Sequence, residues 1–193
     1  MKAIMISIRK EHNEKIFGGV KRFEGRKTLP TVILLGNHID NTTIYNPSEY
    51  DVICYVYEPK TGGGCGKVVG QFVCDFAQSF HTKYANMLMV ARALCVSVDF
   101  AKEYFNREKG YMLRVCDPKR YDKPKELSEF YVEGDCDCMN CRNCAWFDRG
   151  NGYNVEDDCN LAYKGADEHK SYKPIKRPPQ SWCYCEELKG ETE

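Results

Sequence analysis

The sequence predicts an α+β protein, a small barrel or strongly curved sheet with two or three helices packed around it. Three observations lead there. Short apolar and β-branched runs recur along the chain, among them "AIMISIR", "DVICYVYE", "KVVGQFVCDF" and "GYMLRVC". Only a few stretches carry helical spacing. No run approaches the ~18 apolar residues of a membrane span, and the longest candidate, Met87 to Val98, is broken by Arg92.

From the N-terminus, Ile4, Ile6 and Ile8 alternate with Met5, Ser7 and Arg9, the pattern of a half-buried strand. Residues 11–17 suit a short helix stopped by Gly18-Gly19, and 20–27 form a second extended segment. Residues 31–35 and 51–58 are β-rich, and the glycine-rich loop 61–66 leads into a strand over 67–76. Met87, Val90, Ala91 and Leu94 recur at helical spacing. Ser97 fits as the N-cap of a helix over 98–107, with Asp99 in its first turn and Gly110 closing it. A strand over 111–116 follows, then a turn and a short helix with Pro124 in its first turn. "RPPQSWCYCEEL" reads as a closing strand with Trp182 and Tyr184 on one face.

At 193 residues and 42% hydrophobic content the chain fits one domain of ordinary size with a small appendage. Lysine plus arginine equal aspartate plus glutamate at 28 each, which gives no sign of a general polyanion binder and turns attention to a local basic patch. The apolar N-terminal run is too short for a signal peptide. The expectation is a soluble cytoplasmic protein without a membrane anchor. The sequence leaves the oligomeric state open.

Twelve cysteines in a reducing compartment do not mean a disulfide framework. Cys54, Cys65, Cys74, Cys95, Cys116, Cys183 and Cys185 are scattered and read as small buried hydrophobes. Cys136, Cys138, Cys141, Cys144 and Cys159 cluster within a polar region, 134–173, that is too poor in aliphatics to build its own core. Cys138 and Cys141, and again Cys141 and Cys144, have metal-knuckle spacing, and 14 residues separate Cys144 from Cys159. The reading is a structural zinc held by Cys138, Cys141, Cys144 and Cys159, with Cys136 or His169 as substitute ligands. An iron–sulfur cluster or redox thiols are the alternatives.

The order strand, short helix, then Gly19-x-Lys21-x-x-Glu24-x-Arg26 resembles the signature of the ASCH domain, a branch of the PUA-like fold. "KVVGQF", "CVSVDFAKEYF", "KGYMLRVCDPKRYDKPKELSEF" and "RPPQSWCYCEE" look like successive blocks of a phage and bacterial ASCH subfamily. Its members often carry a cysteine-rich insertion before the closing strand. The resemblance implies three parts: a PUA-like barrel over 1–133, a zinc-binding insertion over 134–173 and a strand over 174–193 returning to the barrel. It also implies a cleft beside the Gly-Lys-Glu-Arg segment, where PUA-like domains commonly bind RNA or modified nucleobases.

The residues there suit such a ligand. Lys21, Arg22, Arg26 and Lys27 place four cations in seven residues, a phosphate-facing patch. Arg26 has the fork for a phosphate or a base edge, Glu24 accepts from an exocyclic amine, and Phe23 or a nearby tyrosine supplies a stacking face. The bland alternative is that Glu24 pairs with Arg26 or Lys21 on a solvated strand. In a regular strand Lys21 faces away from Glu24 and Arg26, so the three converge only if Gly19 or Gly25 permits a bend.

Some ASCH relatives hydrolyse N4-acetylcytidine and others are assigned ribonuclease activity. The acetylcytidine hydrolases use a lysine in the signature, a threonine nucleophile three residues later and a glutamate just before the second helix. Here Lys21 matches, Glu24 occupies the threonine position, and the glutamate position falls near Leu94, with no acid between Ala85 and Val98. Thr28 is the nearest hydroxyl, and His12 and His81 read as surface residues outside any recognisable constellation. The expectation is therefore RNA or nucleotide binding by Lys21, Glu24 and Arg26 without chemistry. The alternatives are a hydrolase or ribonuclease in which Lys21 and Glu24 act, and a phage module engaging a host protein complex through the zinc-bearing lobe. Trp182 of the "PQSW" block reads as core packing, and Tyr121, Pro124, Glu126 and Leu127 as architectural.

Overall fold

The computed structural model describes residues 2–33, 51–135 and 170–188. Among them the chain is α+β, as its pattern predicts, with ten strands and three α-helices. β1 (Lys2–Ser7), β3 (Val52–Glu58), β4 (Lys67–Cys74), β7 (Cys116–Lys125) and β10 (Trp182–Glu186) form a five-stranded sheet in the order β10-β1-β3-β4-β7. β1 and β3 are parallel and the other neighbours antiparallel. A second, antiparallel sheet has the order β2-β6-β5, from β2 (Phe23–Arg26), β6 (Lys109–Arg114) and β5 (Ala77–His81). β8 (Tyr131–Asp135) and β9 (Lys170–Pro174) pair as a two-stranded ribbon. The curved-sheet expectation thus takes the form of separate open sheets, with no closed barrel among the described residues.

The main core lies between the two larger sheets, where Ile4, Ile6, Val56 and Phe72 meet Ala77 of β5, Leu113 of β6 and Ile16 of α1 (Lys10–Phe17). The opposite face of the five-stranded sheet is buried as well, with Met5, Tyr55 and Val68 covered by Phe130 and Ile175, which sit together at one end of the ribbon. β1 is therefore a central strand buried on both faces, and the half-buried reading of its alternation is corrected. The isoleucines face one core and Ala3 and Met5 the other.

Against the outer face of the small sheet pack α2 (Met87–Leu94) and α3 (Val98–Tyr104), through Val90, Leu94, Phe105 and Met112. Asn86 caps α2, its side-chain oxygen accepting from the Leu88 and Met89 amides at 3.1 and 3.4 Å. Ser97 caps α3 as expected, accepting from the Phe100 amide at 3.1 Å.

The structure corrects several element readings. Residues 116–125 continue as strand β7, and only Leu127–Glu129 make a helical turn. Prolines at 118 and 124 are tolerated because β7 is the last strand of its sheet, with one edge unpaired. Gly110 lies within β6, so α3 ends earlier, at Tyr104. β5 was hidden in the polar-looking "AQSFH", and residues 31–33 form a turn. The scattered cysteines divide: Cys54, Cys74 and Cys185 are buried as read, whereas Cys65 is exposed and Cys95, Cys116 and Cys183 are half-buried. Cys136, Cys138, Cys141, Cys144, Cys159 and His169 lie outside the described residues. No described helix is long and apolar enough to cross a membrane.

Gly25 sets how closely α2 and the α3 terminus approach β2. A Cβ there would lie 2.8 Å from Leu94 Cδ1 and 2.9 Å from Phe105 Cζ. Gly25→Ala is expected to lower unfolding free energy by about 1–3 kcal/mol, read from urea denaturation. An unchanged midpoint would show that the helices do not pack down on this strand.

Candidate active site or ligand cavity

β2 alternates in burial. Phe23 turns toward the α2–α3 cluster, while Glu24 and Arg26 turn inward. Phe23 is thus spent on packing and does not offer a stacking face. Lys21 precedes β2 in an irregular segment, after Gly19 with φ of +72°, so the pleat does not bind it. Its side chain comes to the same side as Glu24 and Arg26, and the bend the sequence reading required is present.

All three are buried, at 3%, 6% and 6% exposure, so the pairing that the bland alternative foresaw is present, but on a buried strand rather than a solvated one. Lys21 Nζ lies 3.2 Å from Glu24 Oε2 and donates to the Leu94 carbonyl at 2.8 Å. That carbonyl ends α2, where the helix dipole favours a cation, and Lys15 Nζ donates to the next carbonyl, of Cys95, at 2.8 Å. Arg26 Nη2 lies 3.0 Å from Glu24 Oε1 and donates to the Ser7 carbonyl, where β1 ends, at 2.7 Å. The triad therefore ties β2 to the end of β1 and the end of α2. Burial pushes the Glu24 carboxyl up, but Lys21 and Arg26 beside it win and hold it below the ordinary range.

These residues line a cavity of about 490 Å³ at the point where β1 hands over to α1. One wall is aromatic: Phe100 and Tyr104, one turn apart on α3, have near-parallel rings with centroids 5.9 Å apart. Opposite elements contribute Tyr57 and Pro59, and the segment Pro178, Pro179, Gln180. The Ser7 hydroxyl donates to the Pro179 carbonyl at 2.5 Å and holds that segment against β1. Asn13 anchors α1 below, donating to the Ile8 carbonyl at 3.0 Å and to Glu58 Oε2 at 3.3 Å.

Two lining residues were misjudged or missed in the sequence. His12 is not a surface histidine: its side chain is 15% exposed and it faces the cavity. Burial and the neighbouring Lys21 lower its pKa below the usual value, so it is neutral at pH 7. Arg9 lines the mouth. The expected four-cation patch is split, since Lys21 and Arg26 are internal, Arg22 is exposed, and Lys27 sits over the Tyr104 ring at 4.9 Å. "PQSW" divides likewise. Trp182 packs against the core and donates to Thr28 Oγ1 at 3.1 Å, while Pro179 and Gln180 serve the cavity. Tyr121 donates to Gln71 Oε1 at 2.7 Å, Glu126 pairs with Lys67 at 2.6 Å and Leu127 packs in the second core, all architectural as read. His81 lies away from the cavity, paired with Glu108 at 3.2 Å. Among the described residues, no group of three or more metal-ligating side chains converges.

No family model matches the chain, and no curated protein matches its sequence. Among solved structures, the ASCH protein of Zymomonas mobilis is similar over 65% of this chain and 74% of its own, at 18% identity and a TM-score of 0.48. A mutant of that protein aligns over 66% and 77%, at 17% identity and the same TM-score. The N-terminal domain of Staphylothermus marinus McrB aligns over 65% and 76%, at 10% identity and a TM-score of 0.33.

Three polar atoms of the lining residues are buried without a hydrogen-bond partner: His12 Nδ1, Glu24 Oε2 and Arg26 Nε. The Lys21–Glu24 contact is an ion pair rather than an aligned hydrogen bond. Glu24 also makes the fold acid-sensitive. Its folded pKa is below the unfolded value, so between the two the unfolded chain holds more protons. This stabilisation is complete above the unfolded value of about 4.3 and is lost as pH falls through the folded one. Glu24→Gln is expected to cost about 3 kcal/mol at pH 7 by leaving two buried cations uncompensated. The difference from wild type should shrink toward pH 3 in urea melts. A constant difference would mean that Glu24 is not the ionised partner.

Proposed function

We propose that this chain binds RNA or a nucleotide, with a natural or modified base, by seating the base in the cavity of Lys21, Glu24 and Arg26, and that it does so without chemistry. One observation carries the reading: a buried Lys–Glu–Arg triad lines a cavity of small-ligand size beside an aromatic wall. The volume is in the range of small-ligand pockets. Phe100 and Tyr104 offer the stacking face that Phe23 does not. Four charged residues line the cavity, Arg9, Lys21 and Arg26 against Glu24, a net charge of +2 with His12 neutral. In a low-dielectric recess that balance favours an anionic ligand.

The non-catalytic part rests on how the reactive groups are engaged. The Lys21 ammonium is already engaged by Glu24 and the Leu94 carbonyl. Thr28 accepts from Trp182, and Ser7 donates to Pro179. Glu24 stands where the hydrolases place their hydroxyl nucleophile.

The test incubates the protein with nucleotides, N4-acetylcytidine, other modified nucleosides and a short mixed RNA pool, reading retention and products together. Phe100→Ala, at a partly exposed position where folding is not at risk, is expected to weaken retention about tenfold, and Lys21→Ala at least as much. Product formation lost in Lys21→Ala would replace this reading by the hydrolase or ribonuclease one, with Lys21 and Glu24 catalytic. Neither retention nor turnover would point instead to a protein partner for the cysteine-rich lobe.

That lobe is proposed to hold one structural zinc through Cys138, Cys141, Cys144 and Cys159, a reading that rests on spacing and donor chemistry. Purified protein should contain about one zinc per chain by atomic absorption, and replacing Cys141 and Cys144 by serine should abolish it. A metal-free protein with unchanged stability would overturn the assignment.

A further inference from the structure

Of the cavity's three cations, two are already engaged. Lys21 and Arg26 bind Glu24 and two backbone carbonyls. Arg9 is different: it is exposed at the mouth, and among the described residues its side chain has no ion-pair or hydrogen-bond partner. It occupies the N-cap position of α1 without a side-chain cap of its own. His12 follows three residues later, in the first turn of α1, and both residues line the same cavity. The His12 Nδ1 atom is buried and unpartnered. Its Nε2 lies 3.6 Å from Glu11 Oε1, too long for a hydrogen bond but favouring the proton on that nitrogen. The Phe100 ring centroid is 6.2 Å away. Arg9 and His12 both line the cavity, and neither belongs to the ion-paired triad.

We propose that Arg9 and His12 form a phosphate subsite at the mouth of the cavity, holding the phosphate of the nucleotide whose base lies against Phe100 and Tyr104. The inference rests on the nucleotide reading and divides the ligand between the two ends. The phosphate group is either terminal, on a free nucleotide, or internal, in an RNA strand. Arg9 supplies a planar fork matched to two phosphate oxygens. His12 supplies a second donor once it takes up a proton. The charged groups around the imidazole are Lys21 and Lys15, which oppose that proton, and Glu24 and Glu11, which favour it. In the empty cavity burial and Lys21 prevail, and an arriving phosphate tips the balance the other way. Binding is therefore coupled to proton uptake, and affinity rises as pH falls toward the pKa of the empty site.

Titration calorimetry with four kinds of probe tests this: nucleosides, ribose 5-phosphate, nucleoside 5′-monophosphates and dinucleoside phosphates. Monophosphates or dinucleoside phosphates should bind about tenfold or more tightly than nucleosides, and which of the two gains more distinguishes a terminal from an internal phosphate. Arg9→Ala should remove that gain while leaving nucleoside affinity within about twofold. Equal loss for nucleosides and phosphates, or no loss, overturns the subsite. With dinucleoside phosphates, whose charge does not change near neutrality, affinity should rise several-fold from pH 7.5 to 5.5 in wild type and stay flat in His12→Gln. A wild-type profile without slope, or one that persists in His12→Gln, overturns the role of His12. Arg9-dependent binding of ribose 5-phosphate without any binding of nucleosides would keep the subsite and reject the base reading. Absence of binding by every probe rejects both.

Discussion

The ion triad of Lys21, Glu24 and Arg26 is the constraint on which the arrangement of the molecule's working end depends. Two cations and one carboxylate are withdrawn from water at a point where three elements finish. Such a group is tolerated only if each charge is met at close range, and the fold meets them with a carboxylate and the carbonyls of Ser7 and Leu94. Those two carbonyls are chain ends in the hydrogen-bonding sense, one closing β1 and one closing α2, so they have acceptor capacity that a mid-element carbonyl lacks. The triad consequently serves as both a structural clasp and the charged lining of a cavity. A purely structural ion pair would be better replaced by apolar packing, which gives its retention beside an empty volume functional weight.

Packing on the two sides of β2 explains why the clasp can exist. The outer side is closed by Phe23 and by Gly25, whose missing side chain lets Leu94 and Phe105 come down onto the strand. That contact brings the end of α2 within reach of Lys21. The inner side is left with Glu24 and Arg26, of which Arg26 reaches the end of β1 at Ser7. Asn13 and Glu58 brace the start of α1 from beneath, and Ser7 draws the Pro179 segment across. The cavity is thus walled by pieces held by separate hydrogen bonds, while its aromatic wall belongs to a single helix.

A neutral whole-chain charge conceals a local imbalance. The acidic and basic residues cancel in number, yet the cavity collects three cations and a single carboxylate. Some of the remaining charge is paired at the surface, Arg120 with Glu14 and Lys67 with Glu126. Selectivity for an anionic group in such a protein comes from confinement rather than from total charge, because a recess lined by apolar atoms focuses the field that bulk water would screen.

The α+β class, the two capped helices and the Lys21, Glu24 and Arg26 set were legible in the sequence, because periodicity, a serine N-cap and a short spaced motif are all local signals. The residues that complete the cavity were not. Phe100 and Tyr104 stand at helical spacing and offered a trace of their shared face, but nothing local says which face meets a cavity. His12 read as a surface residue because its burial is produced by α3 and β2, which are distant in the chain. β7 was mistaken for turn and helix because its prolines and charges suit an edge strand only once the sheet's order is known. By itself the sequence determined the composition of the charged triad, the glycines beside it and the clustering of five cysteines in a polar stretch. The tertiary structure alone decided that the triad is buried, that Arg9 and His12 share its cavity and that Phe23 is unavailable to a ligand. Burial and convergence depend on contacts between segments far apart in the chain, and no local spacing encodes them.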